Sequence, residues 1–136
     1  SAELYRQFYL KGLEITGAAH RAGVRILLGT DGGDTYVFPG SSAHDELSEL
    51  VSAGLSPADA LRSATLYPAE FLGLTEHYGS VESGKRADLI LLSGNPLDDI
   101  GNVRNIDAVV FRGRYLGREF LDRLLREAEA AATTPL

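Results

Sequence analysis

The sequence predicts an α/β fold, and three features carry this prediction. Residues 24–29 form a short apolar run that ends in glycines, which is typical of a strand buried on both faces in a parallel sheet. Stretches with helical periodicity stand on either side of this run, at 2–22 and between 42 and 67. Short β-like runs separated by glycines follow from 75 to 117. A helix–strand–helix part therefore precedes a β part.

The first helix is predicted over residues 2–22, with apolar side chains such as Leu4, Phe8 and Leu13 along it. Gly12 and Gly17 weaken this prediction and could divide the helix into two pieces, because glycine is a poor helix former. A C-cap glycine, Gly23, then leads into the predicted strand at 24–29.

Two helices are predicted after the glycine-rich turn. The first runs from about 42 to 53 and the second from Ser56 to about 67. Ser56, Pro57 and Asp59 form a strong start signal, because serine caps a helix, proline suits its first position and a carboxylate suits its first turn. Pro68 is expected to interrupt the second helix, and one more helical turn follows over 69–72.

The β part contains two clear strand-like runs, at 87–92 and 108–111, and a hairpin turn is predicted at Gly113–Arg114. Helical periodicity returns at Arg118. One face of that helix carries Phe120, Leu121, Leu124, Leu125 and Ala128. The chain thus divides into 1–74, 75–117 and a C-terminal helix and tail at 118–136.

Charge and composition exclude several classes of partner. The chain has 19 acidic and 13 basic residues, a formal net charge of −6 that disfavours nucleic acid and anionic lipid. No apolar run approaches the roughly 20 residues that span a bilayer. The absence of cysteine excludes disulfides and thiolate metal sites. We therefore expect a cytoplasmic protein without nucleic-acid or membrane partners.

Residues 79–85 imitate a phosphate-binding loop. The string GSVESGK satisfies G-x-x-x-x-G-K, but Arg86 stands where a magnesium-binding hydroxyl belongs. A strand is predicted to follow where the phosphate site needs a helix N-terminus, and Glu82 would repel phosphate. Nucleotide binding is therefore not predicted.

The three histidines stand too far apart in sequence to form a local metal-binding pair. His20 is best explained as a helix-surface residue and His77 as a loop residue. His44 follows the glycine-rich loop and could point back toward Asp31. It is either a substrate-binding residue or an ordinary residue of the first helical turn.

Asp31 is the main candidate for catalysis. It follows the predicted strand within GTDGG, and ligands of α/β folds bind beyond the carboxyl ends of strands. The neighbouring glycines would let a ligand approach the backbone. The alternative is an aspartate that caps its own turn.

Four stretches resemble the metal-dependent amidohydrolases. GVRILLGTDGG is similar to their eighth-strand signature, and LVSAGLSPADALRSATLYPAEFLGL is similar to the helices that follow it. GSVESGKRADLILLSGNPLDDI and VRNIDAVVFRGRYL resemble the re-entry into the small β-domain and its closing hairpin. The order is that of the family, and the closest similarity is to its imidazolonepropionase and prolidase-like branch.

The resemblance implies that the chain is the C-terminal part of a (β/α)8 TIM barrel, with strands of the flanking small β-sandwich domain and a terminal helix. It further implies a divalent metal, with zinc the expected ion, in the complete protein. Asp31 then matches an aspartate that binds the metal and acts as general base on metal-bound water. The implied activity is hydrolysis of a small-molecule amide, such as an N-acyl amino acid, a dipeptide or a cyclic imide.

The other metal ligands of the family lie upstream of the similar segment and have no counterpart in this sequence. A catalytic zinc needs about three protein ligands. We therefore expect the isolated chain to be inactive and to hold no metal tightly. The alternative is a non-catalytic fragment or assembly module. Both interpretations, enzyme segment and assembly module, predict a partner. This partner is the missing barrel portion or a second copy of the chain in a homo-oligomer.

Overall fold

The computed structural model describes residues 2–33, 35 and 37–133 as a mixture of helices and one small sheet, which fits the predicted α/β class. The helices are α1 (Ala2–Arg21), α2 (Ser41–Ser52), α3 (Pro57–Ala64), α4 (Leu66–Phe71) and α5 (Arg118–Thr133), with a 3-10 helix at Ile100–Arg104. The strands are β1 (Leu89–Leu92), β2 (Ile106–Phe111) and β3 (Arg114–Gly117). None of the described helices has both the length and the apolarity to cross a membrane.

The core lies among the helices. Helix α2 contributes Leu47 and Leu50, and the 3-10 helix contributes Ile100 and Val103. Ala53, Leu55 and Ala60, in and around the α2–α3 connection, complete the buried cluster. Partly buried residues of α1 and of the segment after it pack against this cluster, so the helices fix the position of the segment that carries Asp31.

Helix α1 is continuous, so Gly12 and Gly17 do not divide it. Gly17 is buried where α1 meets the end of α2, and a Cβ there would overlap the carbonyl oxygen of Ala53. A Cβ at Gly12 would meet nothing within 4 Å. The glycine at 17 therefore permits a close approach of two helices.

The predicted start of α3 is confirmed. Ser56 is the N-cap, its Oγ accepts the backbone N–H of Asp59 at 3.1 Å, and Pro57 is the first helical residue. The predicted end was wrong, because α3 stops at Ala64 and Pro68 lies inside the first turn of α4. Proline is tolerated there because the first N–H groups of a helix have no intrahelical partner.

The strand predicted at 24–29 is not formed. The backbone N–H of Leu28 donates to the carbonyl of Ser63 at 3.0 Å, but no ladder joins this segment to a strand in the described part of the chain. Val24 is 53% and Leu27 38% exposed, so the segment is covered on one side only. A strand needs neighbours along its edges, and the described residues supply none for it.

The sheet is three-stranded and antiparallel, in the order β1–β2–β3. The hairpin between β2 and β3 is confirmed, but the turn lies one residue earlier than predicted, at Arg112–Gly113. Both turn residues have positive φ, 51° and 77°, as a two-residue hairpin turn of this hand requires. Asp88 accepts the backbone N–H of Arg112 at 2.6 Å and thereby holds the turn against the start of the sheet.

Helix α5 begins at Arg118 as predicted and contacts β2 and β3. Its predicted apolar face is only partly covered, because Phe120 and Leu121 are half-buried while Leu124 and Leu125 are exposed.

Candidate functional site

The segment that ends in Asp31 has two different faces. Exposure alternates from residue 26 to residue 31, with the even residues partly covered and the odd residues exposed. Ile26 and Leu28 pack against the helical core, as residues two apart do in an extended chain. Leu27 and Asp31 therefore share the face that the helices leave open.

Asp31 has an unusual backbone conformation and a solvent-exposed side chain. Its φ is 52°, in the left-handed region, which aspartate enters more readily than most residues. Within residues 2–33, 35 and 37–133, no hydrogen bond or ion pair engages its carboxylate. The carboxylate is thus available to a ligand from the open face of the segment.

The turn after Asp31 is built from glycine. Gly33 has a φ of 113° and donates its N–H to the carbonyl of Val37 at 3.2 Å, which turns the chain back toward α2. A Cβ at Gly32 would come no closer than 3.6 Å to a neighbouring atom, the hydroxyl oxygen of Thr30. Of these two glycines, only Gly33 has a backbone conformation that requires glycine.

A cleft of about 480 Å³ lies between α1 and α2, next to this segment. Apolar side chains including Phe8, Leu13 and Ile26 line it, together with two carboxylates of α2, Glu46 and Glu49. The Tyr9 hydroxyl donates to the Glu49 carboxylate across the cleft. The Glu49 carboxylate therefore has a hydrogen-bond partner from α1.

Burial in the cleft is the main cause that raises the pKa of Glu46 above its ordinary value, and the charge of Glu49 adds to it. The backbone N–H of Gly29 opposes this shift by stabilising the charged carboxylate. Sequence analysis did not select Glu46. The signal that was available is its place four residues before Leu50 and seven before Ala53, an acid on an apolar helix face.

His44 lies half-buried in the first turns of α2. It lines a second groove of about 410 Å³, with Arg104, Ile106, Val109 and Leu121 among the other lining residues. This groove runs between α2, β2 and α5. Among the described residues, no hydrogen bond or ion pair joins His44 to Asp31, and a role for His44 in substrate binding stays a prediction.

The other two histidines also lie apart from Asp31. His20 is half-buried, with its Nε2 3.8 Å from a carboxylate oxygen of Asp59 at the start of α3. His77 is exposed and lies in the turns after α4. Within the described ranges, no three side chains of His, Cys, Asp or Glu come together closely enough to hold a metal ion.

In the loop at 79–85, which imitates a phosphate-binding loop, the lysine binds side chains of the loop itself. Lys85 is 14% exposed, and its Nζ lies 2.5 Å from the Ser80 hydroxyl and 3.2 Å from the Glu82 carboxylate. The Ser80 hydroxyl, followed by Lys85, lowers the pKa of Glu82. Strand β1 follows at Leu89, and no helix begins there.

Comparisons of the sequence with known proteins agree on one family. The sequence profile of the amidohydrolase family matches residues 11–116. The imidazolonepropionase of Thermoplasma acidophilum is 40% identical over 65 residues, which are 46% of this chain and 16% of that protein. The 5-methylthioadenosine/S-adenosylhomocysteine deaminase of Moorella thermoacetica is 38% identical over 114 residues, which are 70% of this chain and 27% of that protein.

The structures give the same result. A Xaa-Pro dipeptidase crystallised with methionine in its active site superimposes with a TM-score of 0.70 at 35% identity. The match covers 77% of this chain and 25% of the dipeptidase. The chain thus spans about a quarter or less of the length of these three proteins.

Proposed function

Because this chain belongs to the amidohydrolase family, we propose that it is the C-terminal part of a metal-dependent hydrolase with Asp31 as metal ligand and general base. The complete enzyme would hydrolyse the amide bond of a small molecule, such as an N-acyl amino acid, a dipeptide or a cyclic imide. The observation that carries the proposal is the exposed carboxylate of Asp31, without a partner among the described residues, on the open face of its segment.

A metal centre fits the described residues only in part. An aspartate is a suitable ligand for a divalent ion such as zinc, but a catalytic zinc takes about three protein ligands. The described residues offer no cluster of that size, so the remaining ligands would come from the barrel portion outside this chain. When bound, the ion would lower the pKa of water toward neutrality.

Asp31 would contribute proton transfer. Its exposed carboxylate can accept a proton from the attacking water and release it to the leaving nitrogen, which is general acid–base catalysis by one group. Exposure on the open face puts the carboxylate within reach of a substrate that lies inside the completed barrel. His44 would be a substrate contact only if the completed barrel brings substrate to the first turn of α2.

The relatives favour a small-molecule amide as the substrate. A dipeptidase and an imidazolonepropionase are among the proteins that this chain resembles, and their names imply cleavage of a carbon–nitrogen bond. The deaminase relative implies the same kind of bond in a purine. Amide hydrolysis is preferred because the dipeptidase similarity extends to the three-dimensional structure.

The test is substitution of Asp31 in the complete protein. Hydrolysis of a panel of N-acyl amino acids, dipeptides and cyclic imides is measured with added zinc. Asp31→Asn should lower kcat/KM by at least about a hundredfold, because it removes the base and a ligand at once. Asp107→Asn, the same change at an exposed position of β2, is the control. Turnover by Asp31→Asn within a few-fold of wild type would contradict the assignment.

A second candidate function is that of a non-catalytic assembly module. Large apolar side chains of α1 favour it, because Leu4, Tyr5, Phe8 and Ile15 are exposed. Such a surface in a soluble protein marks a contact with another chain or segment. The partner would be the missing barrel portion or a second copy of this chain.

A further inference from the structure

The segment that leads to Asp31 is attached to α3 and α4 at two points. The backbone N–H of Leu28 donates to the carbonyl of Ser63 in α3 at 3.0 Å. The Arg25 guanidinium donates to the Glu70 carboxylate in α4. We propose that Arg25 and Glu70 are positioning residues, which dock the segment on α4 and thereby fix where the Asp31 carboxylate stands. The inference rests on the proposed function, in which that carboxylate acts on the substrate.

The attachment at Leu28 is anchored in the core. Because α3 ends at Ala64, the Ser63 carbonyl is one of the last four of the helix, which have no intrahelical partner and can accept from elsewhere. Ser63 is fully buried, and its hydroxyl donates to the carbonyl of Ala60 at 2.6 Å. Ala60 belongs to the buried cluster. The acceptor of the Leu28 N–H is therefore held in place by the core, and the contact lies three residues before Asp31.

The attachment at Arg25 consists of two contacts with α4. The guanidinium pairs with Glu70 and also lies over the Tyr67 ring, 5.6 Å from the ring centroid. An exposed ion pair alone contributes little, and the Arg25 side chain is 67% exposed. The cation–π contact adds to the ion pair and holds the same guanidinium. Tyr67 and Glu70 lie three residues apart on α4, so both can reach one side chain from the same face of the helix.

Two points of attachment fix the direction of the segment as well as its place. A single hydrogen bond at Leu28 would let the segment rotate about that point, and the contact at Arg25 prevents this rotation. In the described part of the chain no strand ladder supports residues 24–29, so these contacts and the packing of Ile26 are what hold the segment. A small displacement of a catalytic group lowers the rate steeply, which makes the direction of the segment matter for Asp31.

Glu14 provides a matched control for Glu70. It is exposed and forms the same kind of ion pair, with the Lys11 Nζ at 2.8 Å, but both partners lie within α1. Loss of either acid removes one negative charge and one surface ion pair. Only loss of Glu70 releases Arg25. Neither Arg25 nor Glu70 belongs to the buried cluster, so their substitution leaves the core intact.

The first experiment is amide hydrogen exchange, resolved to single residues, in the complete protein. Glu70→Ala should speed exchange at Leu28 by about two- to fivefold, the effect of losing one exposed ion pair. Arg25→Ala should speed it by about tenfold, because the contact with Tyr67 is lost as well. Arg25→Lys keeps the charge and should restore part of the protection. Glu14→Ala should leave exchange at Leu28 unchanged.

The second experiment is the affinity of the same proteins for Zn²⁺ alone, by competition with a chelator. Arg25→Ala should weaken zinc binding by about tenfold, the lower end of the usual effect of losing the support of a metal ligand. Arg25→Lys should recover part of the affinity, and Glu14→Ala should bind zinc as wild type does. A residue that only stabilised the fold would change the exchange and leave the zinc affinity as it is.

Unchanged exchange at Leu28 in Arg25→Ala, or raised exchange with unchanged zinc affinity, would overturn the positioning role of Arg25 and Glu70. An equal effect of Glu14→Ala at Leu28 would overturn it too. If Asp31→Asn itself binds zinc as tightly as wild type, the proposed function has failed instead.

Discussion

At the residue scale, Gly12 and Gly17 stand on the same helix in opposite surroundings. Gly17→Ala is expected to destabilise the protein by about 1–3 kcal/mol, because the new methyl group would overlap the Ala53 carbonyl and force α1 and α2 apart. Gly12→Ala should instead stabilise it by roughly 0.5–1 kcal/mol, since alanine is the better helix former and its Cβ meets no atom within 4 Å.

Urea unfolding of both variants gives the two free energies of unfolding. Each variant serves as the control for the other, because both replace glycine by alanine inside α1. Equal effects of the two substitutions would show that helix propensity, and not the close approach at Ala53, decides the stability.

At the element scale, the start of α3 depends on Ser56 and Asp59. The Ser56 hydroxyl caps the helix and bonds the Asp59 carboxylate at 2.6 Å, and it is the main cause that lowers the pKa of Asp59. Ser56→Ala should cost about 1 kcal/mol at pH 7. A carboxylate with a lowered pKa contributes stability above its ordinary pKa and loses it as the pH falls through the lowered value.

The stability difference between wild type and Ser56→Ala should therefore be largest at neutral pH and shrink below about pH 4. Urea unfolding at several pH values measures it. Ser52→Ala is the control, because the Ser52 hydroxyl donates to the Ser48 carbonyl inside α2 and caps nothing. A difference that stays constant from pH 7 to pH 3 would contradict the link to Asp59.

Another prediction at this scale concerns the turn at 79–85. Because Lys85 is bound to Ser80 and Glu82 and a strand follows, Mg–ATP and Mg–GTP should leave the melting temperature unchanged. Thermal melts with and without nucleotide measure it. A saturable stabilisation that is lost in Lys85→Ala would restore the phosphate-loop interpretation.

At the scale of the whole molecule, the isolated chain leaves much apolar surface uncovered. In the described part of the chain, residues 24–29 have no strand neighbours, and α1 exposes several large apolar side chains. We therefore predict that the isolated chain dimerises, exchanges elements with a copy of itself, or binds the missing barrel portion. Size-exclusion chromatography with light scattering measures the molar mass of the isolated chain in solution.

Phe8→Glu should weaken that assembly, because Phe8 is 81% exposed on α1. Val81→Glu is the control, since Val81 is equally exposed, at 81%, but lies in the turn at 79–85. A monodisperse monomer of 14.6 kDa with cooperative unfolding would show that the chain covers its own segment, and the broken-barrel interpretation would then be abandoned.

Local signals in the sequence by themselves determined most of the helices and the hairpin. Ser56 and Pro57 marked the start of α3 correctly because a cap acts within a few residues. The predicted end of α3 was wrong, because proline is compatible with the first turn of a helix. Pro68 lies in the first turn of α4, and the break between the two helices lies at Thr65. Asp31 was selected from its place after the predicted strand at 24–29 and from the glycines around it, and its catalytic role remains a prediction.

Only the tertiary structure decided how these elements meet. The apolar run at 24–29 carries the pattern of a buried strand, but strand formation depends on neighbours that the described chain lacks. Likewise, no local pattern indicates that Gly17 touches Ala53, or that Glu46 shares a cleft with Ile26. These contacts join residues far apart in sequence, so they arise from the packing of α1, α2 and the 24–30 segment, which propensity and periodicity do not encode.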